Sequence, residues 1–183
     1  MPVLTVIAGP NGSGKSTLTE KLRAQGIEFG NYLNADDIAR DLGGASPETS
    51  QRAQEAVREA REAALVAKGD VTFETVLSHT SHIEFMAKAR AAGFDVRLFF
   101  LATEDPVINL ARVANRVEHG GHDVPAERVI ARYHRSLANM RAALTVANQT
   151  MIFDNSEVTR PFRLLALIIA PSDSKAMLEH QDI

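Results

Sequence analysis

The chemistry in this sequence is concentrated in one stretch, Gly9-Pro10-Asn11-Gly12-Ser13-Gly14-Lys15-Ser16, a complete G-x-x-x-x-G-K-[ST] phosphate-binding pattern. Its glycines let successive backbone N–H groups turn inward around phosphate oxygens, and the start of a following helix adds partial positive charge. Gly9 to Thr17 is thus the candidate ATP cradle. Lys15 is placed to reach the β- and γ-phosphates, and the Ser16 hydroxyl to ligate Mg²⁺. Asp36 and Asp37 follow a short second apolar run. A carboxylate there can take the proton of a substrate hydroxyl as it attacks the γ-phosphate; either aspartate also suits a cap for a helix beginning near Ile38.

Glu74 and Thr75 close a third apolar run, Val71-Thr72-Phe73-Glu74-Thr75. Glu74 suits contact with Mg²⁺ through water, although the aspartate usual in that role is missing; the alternative is a polar residue that ends a strand. Phosphoryl transfer also needs cations against the charge of the moving group. Arg112 and Arg116 stand four apart, and Arg128, Arg132 and Arg135 form a polar stripe, with Gly120-Gly121-His122-Asp123-Val124 between the two sets. Adjacent glycines make that loop a candidate lid that brings one or two arginines over the γ-phosphate; each arginine alone equally suits a solvated helix face. His79, His82, His119 and His122 lack zinc-site spacing. They are expected at the surface, with only His122 in a suggestive loop.

Positioning these groups requires strands that deliver loops to one edge. Val3–Ala8 is β-branched and apolar, and a helix is expected from Lys15 toward Gly26. Tyr32–Leu33 reads as a second strand. Ser46-Pro47-Glu48 reads as an N-cap, an N1 proline and an acidic first turn. The helix it opens carries Ala53, Ala56, Val57, Ala60, Ala63, Ala64 and Ala67 at helical spacing, and Gly69 stops it. Val71–Leu77 reads as a strand, Ile83–Ala92 as a helix and Val96–Ala102 as a mid-sheet strand buried on both faces. Asp105-Pro106 starts a helix carrying Leu110, Ala111, Ala114 and Val117, and Pro125 opens another with Val129, Tyr133, Leu137, Met140, Leu144 and Ala147 on one stripe. Met151–Phe153 and Leu164–Ile169 offer two late strands. The alternation predicts an α/β protein: a three-layer P-loop NTPase fold of kinase type, with a mainly parallel central sheet flanked by helices.

The 183 residues suit one domain over 1–171, with the lid around 112–135 and a polar tail at 172–183. With 45% hydrophobic and 23% charged residues, the composition is that of a folded globular chain. Lys+Arg of 20 against Asp+Glu of 23 leaves −3, which argues against a partner held by a general basic surface, such as nucleic acid. Absence of Cys excludes a disulfide scaffold, a thiolate zinc site and a cysteine nucleophile. The N-terminus has no signal-peptide pattern, and no apolar run approaches the roughly 20 residues of a membrane span. A cytoplasmic enzyme or switch is expected.

AGPNGSGKST, NADDIAR from Asn34, FETVLS from Phe73, VRLFFLAT from Val96, ARVANRVEHGGHDVP from Ala111 and FDNS from Phe153 together resemble the zeta toxin family of P-loop kinases, and more closely its short bacterial members. The resemblance implies phosphorylation of the 3′-hydroxyl of UDP-N-acetylglucosamine with ATP and Mg²⁺, and an antitoxin protein as partner. By motif, it implies Asp36 as general base, Lys15 and Ser16 as phosphate lysine and metal hydroxyl, Glu74 and Thr75 beside the substrate, and Arg116 as one of two phosphate-stabilising arginines. The position of the second is held by His122, which leaves Arg128 or Arg132 to supply that charge. Two alternatives stand beside this: a kinase for another hydroxyl (a nucleotide, a nucleic-acid end, another metabolite), and a non-catalytic ATP-binding module regulated by a protein partner.

Overall fold

The computed structural model describes residues 1–44, 46–119, 121 and 123–170. Six strands, β1 (Val3–Ala8), β2 (Asn31–Leu33), β3 (Val71–Thr75), β4 (Asp95–Ala102), β5 (Gln149–Asp154) and β6 (Arg163–Ile169), form one sheet in the order β2-β3-β1-β4-β5-β6. The first five run parallel, and β6 pairs antiparallel with β5. Helices α1 (Lys15–Ala24), α2 (Ala35–Asp41), α3 (Pro47–Ala67), α4 (Ser81–Ala91), α5 (Pro106–Glu118) and α6 (Ala126–Val146) supply the crossovers. No described helix is long and apolar enough to cross a membrane.

Strand alternation splits the sheet's two faces. Leu4, Val6, Val71, Phe73, Val96, Leu98 and Phe100 pack with side chains of α3, α4 and α6, whereas Ile7 and Leu101 pack with Leu18 of α1 and Phe29. The period of two turns every second residue of β3 toward α1, and this aims Glu74 at the phosphate loop. β1 lies between β3 and β4, with Ala8 in register with both Thr75 and Phe100. The loop after β1 therefore emerges at the carboxyl edge of the sheet, where open α/β folds bind ligands.

Several boundaries differ from expectation. α2 begins at Ala35, earlier than Ile38, because Asn34 is its N-cap and its side chain accepts from the Asp36 N–H. Neither Asp36 nor Asp37 caps it. β3 ends at Thr75 and does not reach Leu77, which turns into left-handed backbone (φ 57°) with its N–H bound to Thr75 Oγ1. On α5 the alanines 111 and 114 are exposed, and the buried residues are Asn109 and Val113. Ser46 and Asp105 cap α3 and α5 as their sequences imply, through bonds from the Thr49 and Val107 N–H groups. The polar tail expected at 172–183 lies outside the described residues.

His82 is not a surface residue. It packs 6.0 Å from the Phe73 ring, and its Nδ1 accepts from Arg61, whose guanidinium lies 4.6 Å from the centroids of Phe73 and Phe85. Burial first, then the Arg61 and His79 charges, lower the His82 pKa to about 4. The unfolded chain takes up this proton as pH falls through about 6.5, and the folded chain does so only near 4. Stability is therefore lost as pH falls across that window, by about 3 kcal/mol at most. Urea titrations of wild type and His82→Gln at pH 7 and pH 4.5 check this: the variant is expected to lose less stability on acidification, and equal losses would dismiss His82 as the cause.

Candidate functional site: the phosphate loop and its carboxylates

The loop from Gly9 to Gly14 is held from outside by two asparagine side chains. Asn109 of α5, fully buried, donates from Nδ2 to the Asn11 carbonyl (2.5 Å), and its Oδ1 accepts from Thr103. Asn155, just past β5, donates to the Ser13 carbonyl (2.8 Å) and accepts from the Phe162 N–H (3.3 Å). Gly12 (φ 73°) and Gly14 (φ 96°) are required by these supports. A Cβ on Gly12 would stand 2.7 Å from the Asn109 carbonyl oxygen, and one on Gly14 would collide with the Asn155 amide. Gly14 is the left-handed N-cap of α1 and offers no side chain to its first turn. The orphan N–H groups of that turn are left to an anion.

Lys15 curls back onto its own loop, donating to the Gly9 carbonyl (2.8 Å) and the Pro10 carbonyl (3.0 Å). Burial dominates its environment and lowers its pKa; Glu74 and Asp36 pull it up, while Arg116 and Arg132 push it down. Two carboxylates and two guanidiniums drawn from β3, α2, α5 and α6 thus bear on one ammonium. Arg132 is also held below its ordinary value, by burial and then by Arg128 and Arg135, and is partly restored by Asp36. The five groups form one electrostatic cluster at the sheet edge.

Glu74 is the hub of the cluster's α1 side. Ser16 donates to its Oε2 (3.0 Å), and Thr19 (2.8 Å) and Tyr32 (2.6 Å) donate to its Oε1. With its proton committed to Glu74, the Ser16 hydroxyl keeps its lone pairs for another electrophile. A hydroxyl and a carboxylate are hard oxygen donors that suit Mg²⁺, which takes few protein ligands and relies on phosphates and water for the rest. No group of three or more His, Cys, Asp or Glu suited to a metal occurs among the described residues, and this site does not need one.

The other candidates are distributed as follows. Asp36 is exposed at the start of α2, and Asp37 beside it pairs with Arg40 (3.2 Å) on the helix surface. Thr75 faces away from α1, is buried, and is engaged in the Leu77 turn. Arg112 donates to the Ser156 carbonyl (3.3 Å). With Gly14, Thr17, Lys21, Asn155 and Phe162 it lines a cavity of about 250 Å³. The Gly121 N–H donates to the Arg116 carbonyl (2.9 Å), which holds Gly121 against the end of α5. His122 lies outside the described residues. No site role for Thr19, Tyr32, Asn109 or Asn155 follows from the sequence patterns above. Thr19 was visible three residues beyond Ser16 on the same helix face, whereas the two asparagines become visible as supports only once α5 and the β5 end are placed beside the loop.

The zeta toxin family model matches residues 1–163. The chain belongs to the zeta toxin family. An uncharacterized protein of Haemophilus influenzae is 34% identical to this family member over 131 residues, covering 68% of this chain and 88% of its own. Among solved structures, one from the PezAT chromosomal toxin-antitoxin system of Streptococcus pneumoniae shares the fold at a TM-score of 0.62 and 16% identity, with 96% of this chain and 76% of that one covered. The AvrRxo1-ORF1:-ORF2 structure with ATP matches at 0.71 and 13%, covering 96% and 62%. A chain of the Pnkp1/Rnl/Hen1 RNA repair complex matches at 0.61 and 16%, with 94% of this chain covered, and the present chain spans only 50% of its length. This zeta toxin family member has the P-loop kinase fold and is a nucleotide-binding phosphotransferase.

Proposed function

We propose that this protein transfers the γ-phosphate of ATP to a hydroxyl of a UDP-linked amino sugar such as UDP-N-acetylglucosamine, with Mg²⁺. The observation that carries the transfer is the phosphate loop at the carboxyl edge of the sheet, with Glu74 at the end of β3 accepting from Ser16 and Asp36 at the head of α2 just past β2; the acceptor's identity comes from the family. Gly9 to Thr17 hold the triphosphate, and the cavity beside Arg112 and Phe162 suits the nucleoside. Ser16 and Glu74 would hold Mg²⁺, which would supply neutralising charge to the phosphates. Asp36 takes the acceptor proton as the acceptor oxygen bonds to the γ-phosphorus, and the bond from that phosphorus to the β–γ bridging oxygen breaks to release ADP. Lys15 leaves the Gly9 and Pro10 carbonyls for the phosphates. Arg116 and Arg132, at the two ends of the lid around 112–135, balance charge on the moving group, with Arg128 beside them. Asp37, beside Asp36 on the surface of α2, completes the acceptor side.

Both ATP and the sugar nucleotide place the reaction in the cytoplasm, and an antitoxin-like protein is the expected partner. Incubation with ATP, Mg²⁺ and a panel of UDP-sugars, nucleotides and 5′-hydroxyl oligonucleotides, read by mass shift, tests the assignment. A gain of one phosphate on a UDP-amino sugar is expected. A product only from another panel member moves the acceptor, and bound ATP without any product removes the UDP-amino sugar as acceptor.

A further inference from the structure

The hydrogen bonds around Glu74 do not stop at the metal side. The Asp36 N–H donates to Asn34 Oδ1 (2.9 Å), Asn34 Nδ2 donates to the Tyr32 phenol oxygen (3.3 Å), and the phenol donates to Glu74 Oε1 (2.6 Å). Ser16 closes the series on Oε2. An unbroken chain therefore runs from the backbone of the acceptor-side aspartate to the metal-side serine, with Tyr32 in its middle. The ring that carries the phenol is itself fixed. Arg23 lies 4.1 Å from its centroid, and Phe29 packs against it at 6.4 Å.

Fixing Glu74 has a specific use here. A glutamate has three rotatable side-chain bonds, and Glu74 is bonded to Ser16 and Thr19 of α1, the helix that Lys15 opens. Without a restraint on Oε1, the carboxylate would gain most by swinging onto the ammonium, which would take it from the metal and take Lys15 from the phosphates. We propose that Tyr32, with Thr19, is a positioning residue that holds Glu74 Oε1 so that only Oε2 faces Ser16 and the divalent cation, and Lys15 stays available to phosphate. This rests on the metal assignment of Ser16 and Glu74 above.

Tyr32→Phe keeps the ring and removes both of its links in the chain. The readout is the Mg²⁺ concentration giving half-maximal binding of a fluorescent ATP analogue, followed by anisotropy with no acceptor present, beside the melting temperature. Loss of an outer-shell partner typically weakens metal binding 10- to 100-fold, so a rise of at least about tenfold in the Mg²⁺ midpoint is expected. A purely structural Tyr32 would lower the melting temperature and leave the midpoint in place, and that result overturns the proposal. Should Tyr32→Phe not fold, Thr19→Val strips the second donor from the same oxygen and carries the same expectation and the same overturning result. Ser16→Ala separates the two levels. A shifted midpoint there with none in Tyr32→Phe removes the positioning role alone, whereas no shift in either removes the metal site with it.

Discussion

Asp36→Asn is expected to lower kcat by about 10²- to 10⁴-fold while ATP affinity stays near wild type. The substitution isolates proton acceptance because what fixes residue 36 in space is its backbone. Its N–H is tied to Asn34 Oδ1 at the head of α2, and its side chain is exposed. Asparagine keeps the size and one oxygen but cannot take a proton from an attacking hydroxyl. The stability cost is confined to a lost negative charge in a helix first turn, about 0.5 kcal/mol. Steady-state turnover with the acceptor found by the panel, together with ATP binding by anisotropy, checks this. Wild-type turnover in the variant would send the base to another carboxylate, and Glu74 is disfavoured for that because three hydroxyls already donate to it.

Much of this site was legible from the chain because its parts sit at strand ends, where local patterns coincide with global geometry. A β-branched run followed by a glycine loop and a helix admits few arrangements, and the strand order brought Glu74 and Asp36 to the same edge as Lys15. Short-range signals failed where a long-range partner set the outcome. Thr75 adjoins Glu74 in sequence but faces the opposite side of the sheet, so adjacency did not mean a shared site. The sequence around His82 suits a surface residue because nothing local foretells that an arginine 21 residues earlier lies against two phenylalanine rings and needs an acceptor. The buried face of α5 departs from its apolar stripe because alanine counts as apolar in any pattern, while the buried Asn109 counts as polar. Its amide is buried because the phosphate loop needs a donor there.

Lys15→Met is expected to reduce kcat by about 10²- to 10³-fold, the scale of removing one preorganised donor from a developing charge, and to leave the fold as stable as before or more so. The two expectations have one origin. Burial is the largest influence on the Lys15 ammonium and outweighs the attraction of Glu74 and Asp36, so its pKa is lowered. A lowered lysine pKa means that the unfolded chain holds the proton more tightly than the folded one, and the charge therefore works against folding at neutral pH. Methionine keeps most of the stem's volume and removes that cost, at the loss of the bonds to the Gly9 and Pro10 carbonyls. A residue that strains the apo protein and is satisfied by a triphosphate should lend its stabilisation to the complex. ATP is accordingly expected to raise the melting temperature of wild type by more than that of Lys15→Met, in paired thermal scans with and without saturating nucleotide. Equal shifts, together with equal turnover, would show that the ammonium does not meet the phosphates and would take Lys15 out of the mechanism.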